Sequence, residues 1–127
     1  MLTRLLMVAA LLAPAPLLAQ RPDVIGTWKV DPSAAARQKS GPATVVVRAD
    51  SSASYGKETV RWRLPKKDTI SLVLGGEWVD YTVKVKTDQM TLSGGDLTEP
   101  ITFRRVGPPT ARPDSVKIPT DPDRDPS

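Results

Sequence analysis

Between Val24 and Val106, apolar and polar residues alternate along the chain, and turn-forming residues interrupt the alternation at short intervals. A period of two places successive side chains on opposite faces of a β-strand, whereas an amphipathic helix needs a period near 3.6. Short strands separated by frequent turns are typical of antiparallel meanders and barrels. The pattern therefore predicts an all-β domain without a long helix, an antiparallel meander of about seven or eight short strands that closes into a small barrel.

Seven segments carry the alternation clearly. The predicted strands are residues 24–31, 43–48, 55–64, 69–74, 78–86, 90–93 and 100–106. In this prediction residues 51–54 form a turn before the third strand. Gly75-Gly76 interrupts the chain after the fourth strand as a tight turn or a bulge.

The first 19 residues have the layout of a secretory signal peptide. Arg4 supplies the positive charge, residues 5–13 form the apolar run, and Ala19 is a small residue of the kind that precedes a cleavage site. This run is too short to span a bilayer, which takes about 18 residues or more. Because Ala19 is small, we expect cleavage near Ala19-Gln20, and no cysteine follows that could carry a lipid. The product would be a periplasmic or secreted protein without a stable membrane anchor.

The sequence contains no cysteine and no histidine. Without cysteine there is no disulfide, thiolate nucleophile or zinc–sulfur site, and without histidine there is no Ser-His-Asp triad and no imidazole metal ligand. A carboxylate-based enzyme stays open, but the composition favours a protein that is not an enzyme and holds no cofactor or metal. The net charge of +4 on a mixed-sign sequence is typical of a solubility feature, so we expect no nucleic-acid partner.

The composition changes after Val106. Residues 107–127 hold six of the 13 prolines and no aromatic residue. Such a segment cannot bury enough apolar surface to offset the entropy of ordering it. The predicted organisation is a signal peptide (1–19), an N-terminal extension (20–22), a β domain (23–106) and a Pro-rich disordered tail (107–127).

Two parts of the β domain resemble a known family. Residues 25–31, which contain Gly26-Thr27-Trp28, and the closing segments 90–95 and 100–105 resemble small exported bacterial proteins of uncharacterised function with a lipocalin-like (calycin) barrel. The resemblance covers about residues 23–106.

The resemblance implies a tryptophan that closes one end of the barrel beneath an arginine of the last strand. Gly26 and Trp28 match the Gly-x-Trp motif of the family. Arg105 matches the arginine because it shares its face with the apolar residues of the last strand, and Arg104 is the alternative. The implied role of this pair is structural, since a guanidinium over an indole face stabilises a fold by about 0.5–2 kcal/mol.

Three aromatic residues are candidates for ligand binding. Trp62 and Tyr81 point inward by phase, so they line an apolar cavity with one phenolic donor or simply form the core. Trp78 is out of phase with the inward residues of its strand. It is therefore either an exposed contact residue at the barrel mouth or a tryptophan turned inward by a bulge.

Two groups of charged residues are further candidates for functional sites. Glu77 and Asp80 flank Trp78, but a spacing of three along a strand places them on opposite faces unless a bulge changes the phase. Basic residues of two strands could form one outer face, or a solvated surface that protects sheet edges. These basic residues are Lys57, Arg61, Arg63, Lys84 and Lys86. Asp96 and Glu99 are interpreted as plain turn residues.

These observations predict an exported, non-catalytic binding protein that holds a small apolar or amphipathic ligand in its barrel. The alternative is an envelope accessory protein or inhibitor that binds another protein through the barrel rim and the Pro-rich tail. The resemblance and the inward Trp62 and Tyr81 favour the first function. The position of Trp78 and the composition of the tail favour the second.

Overall fold

Eight β-strands follow one another in the computed structural model, which describes residues 23–31, 41–113 and 116–124. The strands are β1 (Gly26–Val30), β2 (Thr44–Val47), β3 (Ser52–Tyr55), β4 (Glu58–Lys66), β5 (Thr69–Leu74), β6 (Glu77–Lys86), β7 (Gln89–Gly94) and β8 (Ile101–Gly107). These ranges contain no helix, which confirms the prediction of an all-β domain for the described part of the chain. The predicted signal peptide (1–19) and N-terminal extension (20–22) lie outside it.

The strands form a closed antiparallel barrel. Each strand pairs with its neighbour in the sequence, and β8 returns to pair with β1. In this last ladder Trp28 is opposite Arg105 and Val30 is opposite Phe103. Closure removes the two free sheet edges that an open meander would expose. The predicted meander barrel is confirmed.

The strand that the alternation did not resolve is β3. The predicted turn at residues 51–54 and the single strand at 55–64 are wrong at this point, since the chain turns at Gly56-Lys57 between two strands. Gly56 has a φ of 65°, which a glycine adopts without steric cost. β3 is formed mostly by serines and alanine, and its strand character comes from pairing on both sides rather than from β-branched residues.

Inward-facing side chains fill the barrel. The largest fully buried ones are Trp28, Tyr81, Phe103, Leu72 and Met90. They come from five different strands, and the other three strands add smaller residues of their inner faces to the same cluster. This is the core that a chain without disulfides needs, because burial of each large side chain is worth about 1.5–3 kcal/mol.

The meander gives the barrel two distinct ends. At the N-terminal end, residues 23–25 approach β1, and the β2–β3, β4–β5 and β6–β7 turns lie alongside. At the opposite end, called the loop end here, lie the β3–β4, β5–β6 and β7–β8 connections. Successive connections alternate between the ends because all neighbouring strands are antiparallel.

The described residues after Gly107 form no helix or strand, as the composition of the tail predicts. They nevertheless contact the outside of the barrel. Thr27 donates a hydrogen bond to the carbonyl oxygen of Pro108 at 2.8 Å, and Arg48 Nε donates to that of Thr110 at 2.6 Å. Further along, the tail reaches the outer face of β4 and β6. The chain after the barrel therefore crosses the outer surface from β1 towards β6.

Candidate functional site

Trp28 and Arg105 form a stacked pair at the N-terminal end. The Trp28 side chain is fully buried, and its indole N–H donates to the carbonyl oxygen of Val24 at 2.9 Å. The Arg105 guanidinium carbon lies 4.3 Å from the centre of the indole ring. The β1–β8 ladder brings the two residues together because it places them directly opposite each other.

Hydrogen bonds to the N-terminal backbone hold Arg105 over the ring. Its Nη1 donates to the carbonyl oxygen of Ile25 at 2.5 Å and its Nη2 to that of Asp23 at 3.0 Å. The carboxylate of Asp88 lies 3.7 Å from Nε. A Cβ at Gly26 would lie 2.9 Å from Arg105 Nη1 and would displace it, and the φ of 153° at this position is one that residues with a side chain rarely adopt, so the position favours glycine. The pair that the family resemblance implies is therefore present, and its structural role stays a prediction.

Tyr55 and Tyr81 meet inside the barrel. Their ring centres are 5.9 Å apart and their planes are tilted by 42°. Because β4 and β5 lie between their strands in the sheet, the rings meet across the interior rather than along the wall. Both hydroxyls donate to Asp96 Oδ1 in the β7–β8 connection, Tyr81 at 2.6 Å and Tyr55 at 3.3 Å. We call these three residues the phenol–carboxylate cluster.

The backbone of the β7–β8 connection approaches Tyr81 closely. Gly95 has a φ of 55°, and a Cβ on it would lie 2.5 Å from the Tyr81 ring. Only glycine combines this conformation with this approach. Gly95 therefore allows the connection to bring the Asp96 carboxylate to the two phenols.

The cluster keeps both phenols protonated. Burial raises the pKa of Tyr81 far above its ordinary value, and the hydrogen bond to Asp96 acts in the same direction. Burial also raises the pKa of Tyr55. The two hydroxyls are therefore neutral hydrogen-bond donors at any physiological pH, and the carboxylate is the acceptor that they share.

Trp62 has a different environment from Tyr81, its predicted partner in a ligand cavity. It is half-buried against the core opposite Leu72, and its indole N–H donates to the carbonyl oxygen of Arg48 at 2.8 Å. The bond joins β4 to the end of β2. The contacts of Trp62 are thus those of a packing residue.

Trp78 lies on the outer face of the barrel. The β5–β6 ladder is regular from Leu74 opposite Glu77 onwards, so no bulge turns the indole inward. Trp78 is half-buried because Arg63 lies over its ring at 3.9 Å and the tail residue Asp121 accepts a hydrogen bond from its Nε1 at 2.9 Å. Neither predicted alternative describes it, since the tail covers an indole that the strand itself would expose.

The carboxylates beside Trp78 do not converge. Asp80 lies on the outer face, where the Ser71 hydroxyl donates to it at 2.5 Å. Glu77 is exposed at the start of β6, opposite Leu74. The regular strand keeps the two on opposite faces, as the spacing of three predicts.

The predicted basic face is divided by its contacts. Arg61 Nε donates to the carbonyl oxygen of Pro119 at 2.7 Å, and Arg63 pairs with Asp123 at 3.0 Å. Lys84 and Lys86 are exposed on β6. The arginines of β4 thus bind the tail.

Three structural residues escaped the sequence prediction. The sequence predicts Tyr55 only as the first residue of the strand at 55–64. It predicts Asp96 as a plain turn residue, which the two phenol contacts of Asp96 correct. Asp121 lies in the predicted disordered tail, and the composition of the tail does not indicate its contact with Trp78. The one local signal for Asp96 is the preceding Gly94-Gly95 pair, which permits a sharp backbone approach.

The chain matches no protein-family model, no curated protein and no solved structure. The barrel that the family resemblance implied is present, and membership of the family stays a prediction. Within residues 23–31, 41–113 and 116–124, no group of three or more acidic residues is placed to hold a metal ion. The same residues contain no helix long and apolar enough to cross a membrane.

Proposed function

We propose that this protein is an exported, non-catalytic binding protein that takes a small amphipathic ligand at the loop end of its barrel. The observation that carries the proposal is the phenol–carboxylate cluster. Tyr55 and Tyr81 face each other across the interior, and both donate to Asp96. The opposite end is closed by Trp28 and Arg105, so the loop end is the side from which a ligand would enter.

The chemistry of the cluster suggests the ligand class. The partly exposed Tyr55 offers a phenol ring beside the buried Tyr81, and the exposed Asp96 offers a carboxylate at the rim of an otherwise apolar interior. Binding sites with an apolar surface and a few polar groups hold apolar ligands by contact and orient them through those polar groups. A ligand with an apolar body and one N–H or O–H donor fits this arrangement, because the carboxylate accepts its hydrogen bond in place of one from a phenol.

Native mass spectrometry of the mature protein, taken from the exported fraction of its source, tests this proposal. We expect an additional mass that is lost on denaturation and is strongly reduced in Tyr81→Phe and Asp96→Asn variants. Thr82→Val, a change at an exposed neighbour on the same strand, should retain it. A bare chain mass for folded wild-type protein would contradict the proposal. The same spectra test export, since signal cleavage predicts a chain that begins at Gln20.

The non-catalytic part of the proposal is supported by the absence of histidine and cysteine from the sequence and by the separation of Glu77 from Asp80. Both carboxylates would be needed close together for acid–base chemistry.

A second candidate function is binding of another protein through the barrel rim and the tail. The contact between Trp78 and Asp121 favours it, because it places a large aromatic side chain and the Pro-rich tail on the same outer surface. Chemical crosslinking in the exported fraction tests this function, and a chain that crosslinks to nothing would contradict it.

A further inference from the structure

The outer face of β4 to β6 contains side chains that are buried although they point away from the interior. Val73 is 5% exposed although it alternates with the interior residue Leu72 and therefore points outward. Ser71, two residues before it, is fully buried on the same face. Side chains that point away from the interior of a barrel become buried only where other parts of the chain cover them. Here the described tail residues 116–124, called the tail segment, cover this face together with side chains of β4 and β6.

Three side chains of the barrel donate to the tail segment. Arg61 donates to a backbone carbonyl oxygen, that of Pro119, whereas Trp78 and Arg63 donate to carboxylates, those of Asp121 and Asp123. In all three contacts the barrel supplies the hydrogen-bond donor and the tail segment supplies the acceptor. The surface therefore has the chemistry to recognise an extended segment with one free carbonyl and two carboxylates two residues apart.

Arg63 and Trp78 also contact each other. The guanidinium lies 3.9 Å from the centre of the indole ring, which holds its planar donors in one orientation. Among the described residues, the buried Nε of Arg63 has no hydrogen-bond partner. The tail segment therefore leaves a recognition donor unused.

The tail segment also leaves space beside the barrel. An open cleft of about 460 Å³ is lined on one side by Val73, Thr59 and Gly75 and on the other by Pro119 and Pro122. A volume in this range accommodates side chains in addition to those that the tail supplies. The ion pair between Arg63 and Asp123 is exposed on both sides, at 40% and 64%, so it binds the tail weakly. An occupant held in this way is replaceable.

We propose that this face, the outer groove (Arg61, Arg63, Val73 and Trp78), is a docking site for an extended, acidic, proline-containing segment of a partner protein. The chain's own tail segment is the resident competitor. The proposal names the partner chemistry for the second candidate function and rests on it, and it is independent of the ligand at the loop end. Linkage to the same chain gives the tail a high effective concentration, so a partner must outcompete it or find it displaced.

Fluorescence anisotropy with a labelled peptide of the sequence of residues 116–124 tests the proposal on the full mature chain. A variant with Asp121→Ala and Asp123→Ala weakens the competing contacts of the chain's own tail. We expect this variant to bind the peptide about tenfold or more tightly than the wild type, because the intramolecular competitor is weakened. A peptide with the same two alanines should bind neither protein.

Charge variants in this background separate the groove from general attraction. Arg63→Glu should abolish binding, whereas Lys84→Glu, the same charge change on the exposed part of β6, should leave it unchanged. A peptide with lysine in place of the residue that matches Asp123 should regain binding to the Arg63→Glu protein. This rescue shows that the variant is folded and that Arg63 reads the second carboxylate.

Several outcomes would overturn the proposal. They are no saturable binding by the variant with the weakened tail, equal losses in Arg63→Glu and Lys84→Glu, and tail exchange that produces concentration-dependent dimers, which would assign the groove to a second copy. A crosslinked partner recovered equally with wild type and Arg63→Glu would leave the partner-binding function standing and reject only the groove.

Discussion

Replacing Tyr81 with phenylalanine removes one hydroxyl from the phenol–carboxylate cluster and leaves the ring in the core. The lost hydrogen bond has a length of 2.6 Å and a charged acceptor, a class worth about 1.5–3 kcal/mol. Asp96 is exposed, so water replaces the lost donor on the carboxylate side. We therefore expect the free energy of unfolding at pH 7 to fall by an amount at the lower end, about 1.5 kcal/mol.

At alkaline pH, the difference in the free energy of unfolding between the wild type and Tyr81→Phe should become much smaller. The folded pKa of Tyr81 is raised, whereas the unfolded side chain titrates near 10.0. Stability from the neutral phenol is therefore fully present below pH 10 and is lost as the pH rises above it, because only the unfolded chain releases the proton. At pH 11 this loss is about 1.4 kcal/mol for the wild type and is absent in Tyr81→Phe. The two proteins should be almost equally stable there.

Urea unfolding followed by circular dichroism at pH 7, 9, 10 and 11 measures this convergence. Thr82→Val on the exposed face of β6 is the matched control, and its difference from wild type should not change with pH. All other titrating groups are shared by the proteins, so their contributions cancel in the comparison. A deficit of Tyr81→Phe that stays constant from pH 7 to pH 11 would refute the assignment of Tyr81 as a buried, neutral donor.

Two further predictions concern the ends of the barrel. Trp28→Ala should lower the free energy of unfolding by about 3–5 kcal/mol, because it removes a fully buried indole and leaves Arg105 without its ring, and a thermal melt close to that of wild type would contradict this role. Gly95→Ala should cost about 1–2 kcal/mol for the left-handed conformation alone and more for the collision with Tyr81. It should also lower ligand retention in native mass spectrometry, whereas Gly75→Ala, which has a similar φ but open space around it, should affect stability alone.

Much of the barrel follows from local patterns. The alternation of β6 predicts Tyr81 and Val83 inside and Lys84 outside, and the structure has them so. The alternation does not predict β3, because its serines and alanine carry no strand signal of their own. Ser52 is buried, and its hydroxyl donates a hydrogen bond to Asp50 at 2.5 Å. Only the folded turn brings this acceptor to Ser52. Alternation identifies strands that bury large apolar residues and misses strands that are formed by pairing alone.

The site residues divide in the same way. The inward phase of Tyr81 is local information, but its contact with Tyr55 is not. Their strands, β6 and β3, are separated by two others in the sheet, so the rings meet only when the sheet curves into a barrel. The tail shows the same limit. Its composition predicts the lack of regular structure, yet the partners of its carboxylates lie on β4 and β6. The composition of a segment determines how much apolar surface it can bury, but it contains no information on hydrogen-bond donors elsewhere in the chain.

By itself, the sequence determined which residues face inward, that the described domain is all-β, and which chemistries are unavailable to a chain without cysteine or histidine. These properties depend on side-chain identity and on a period of two, and both are local. Only the tertiary structure decided that Asp96 joins two tyrosines, that Arg105 rather than Arg104 lies over Trp28, and that the tail lies across Trp78. Each of these contacts joins residues at least 15 positions apart in the sequence, which only the folded chain brings together.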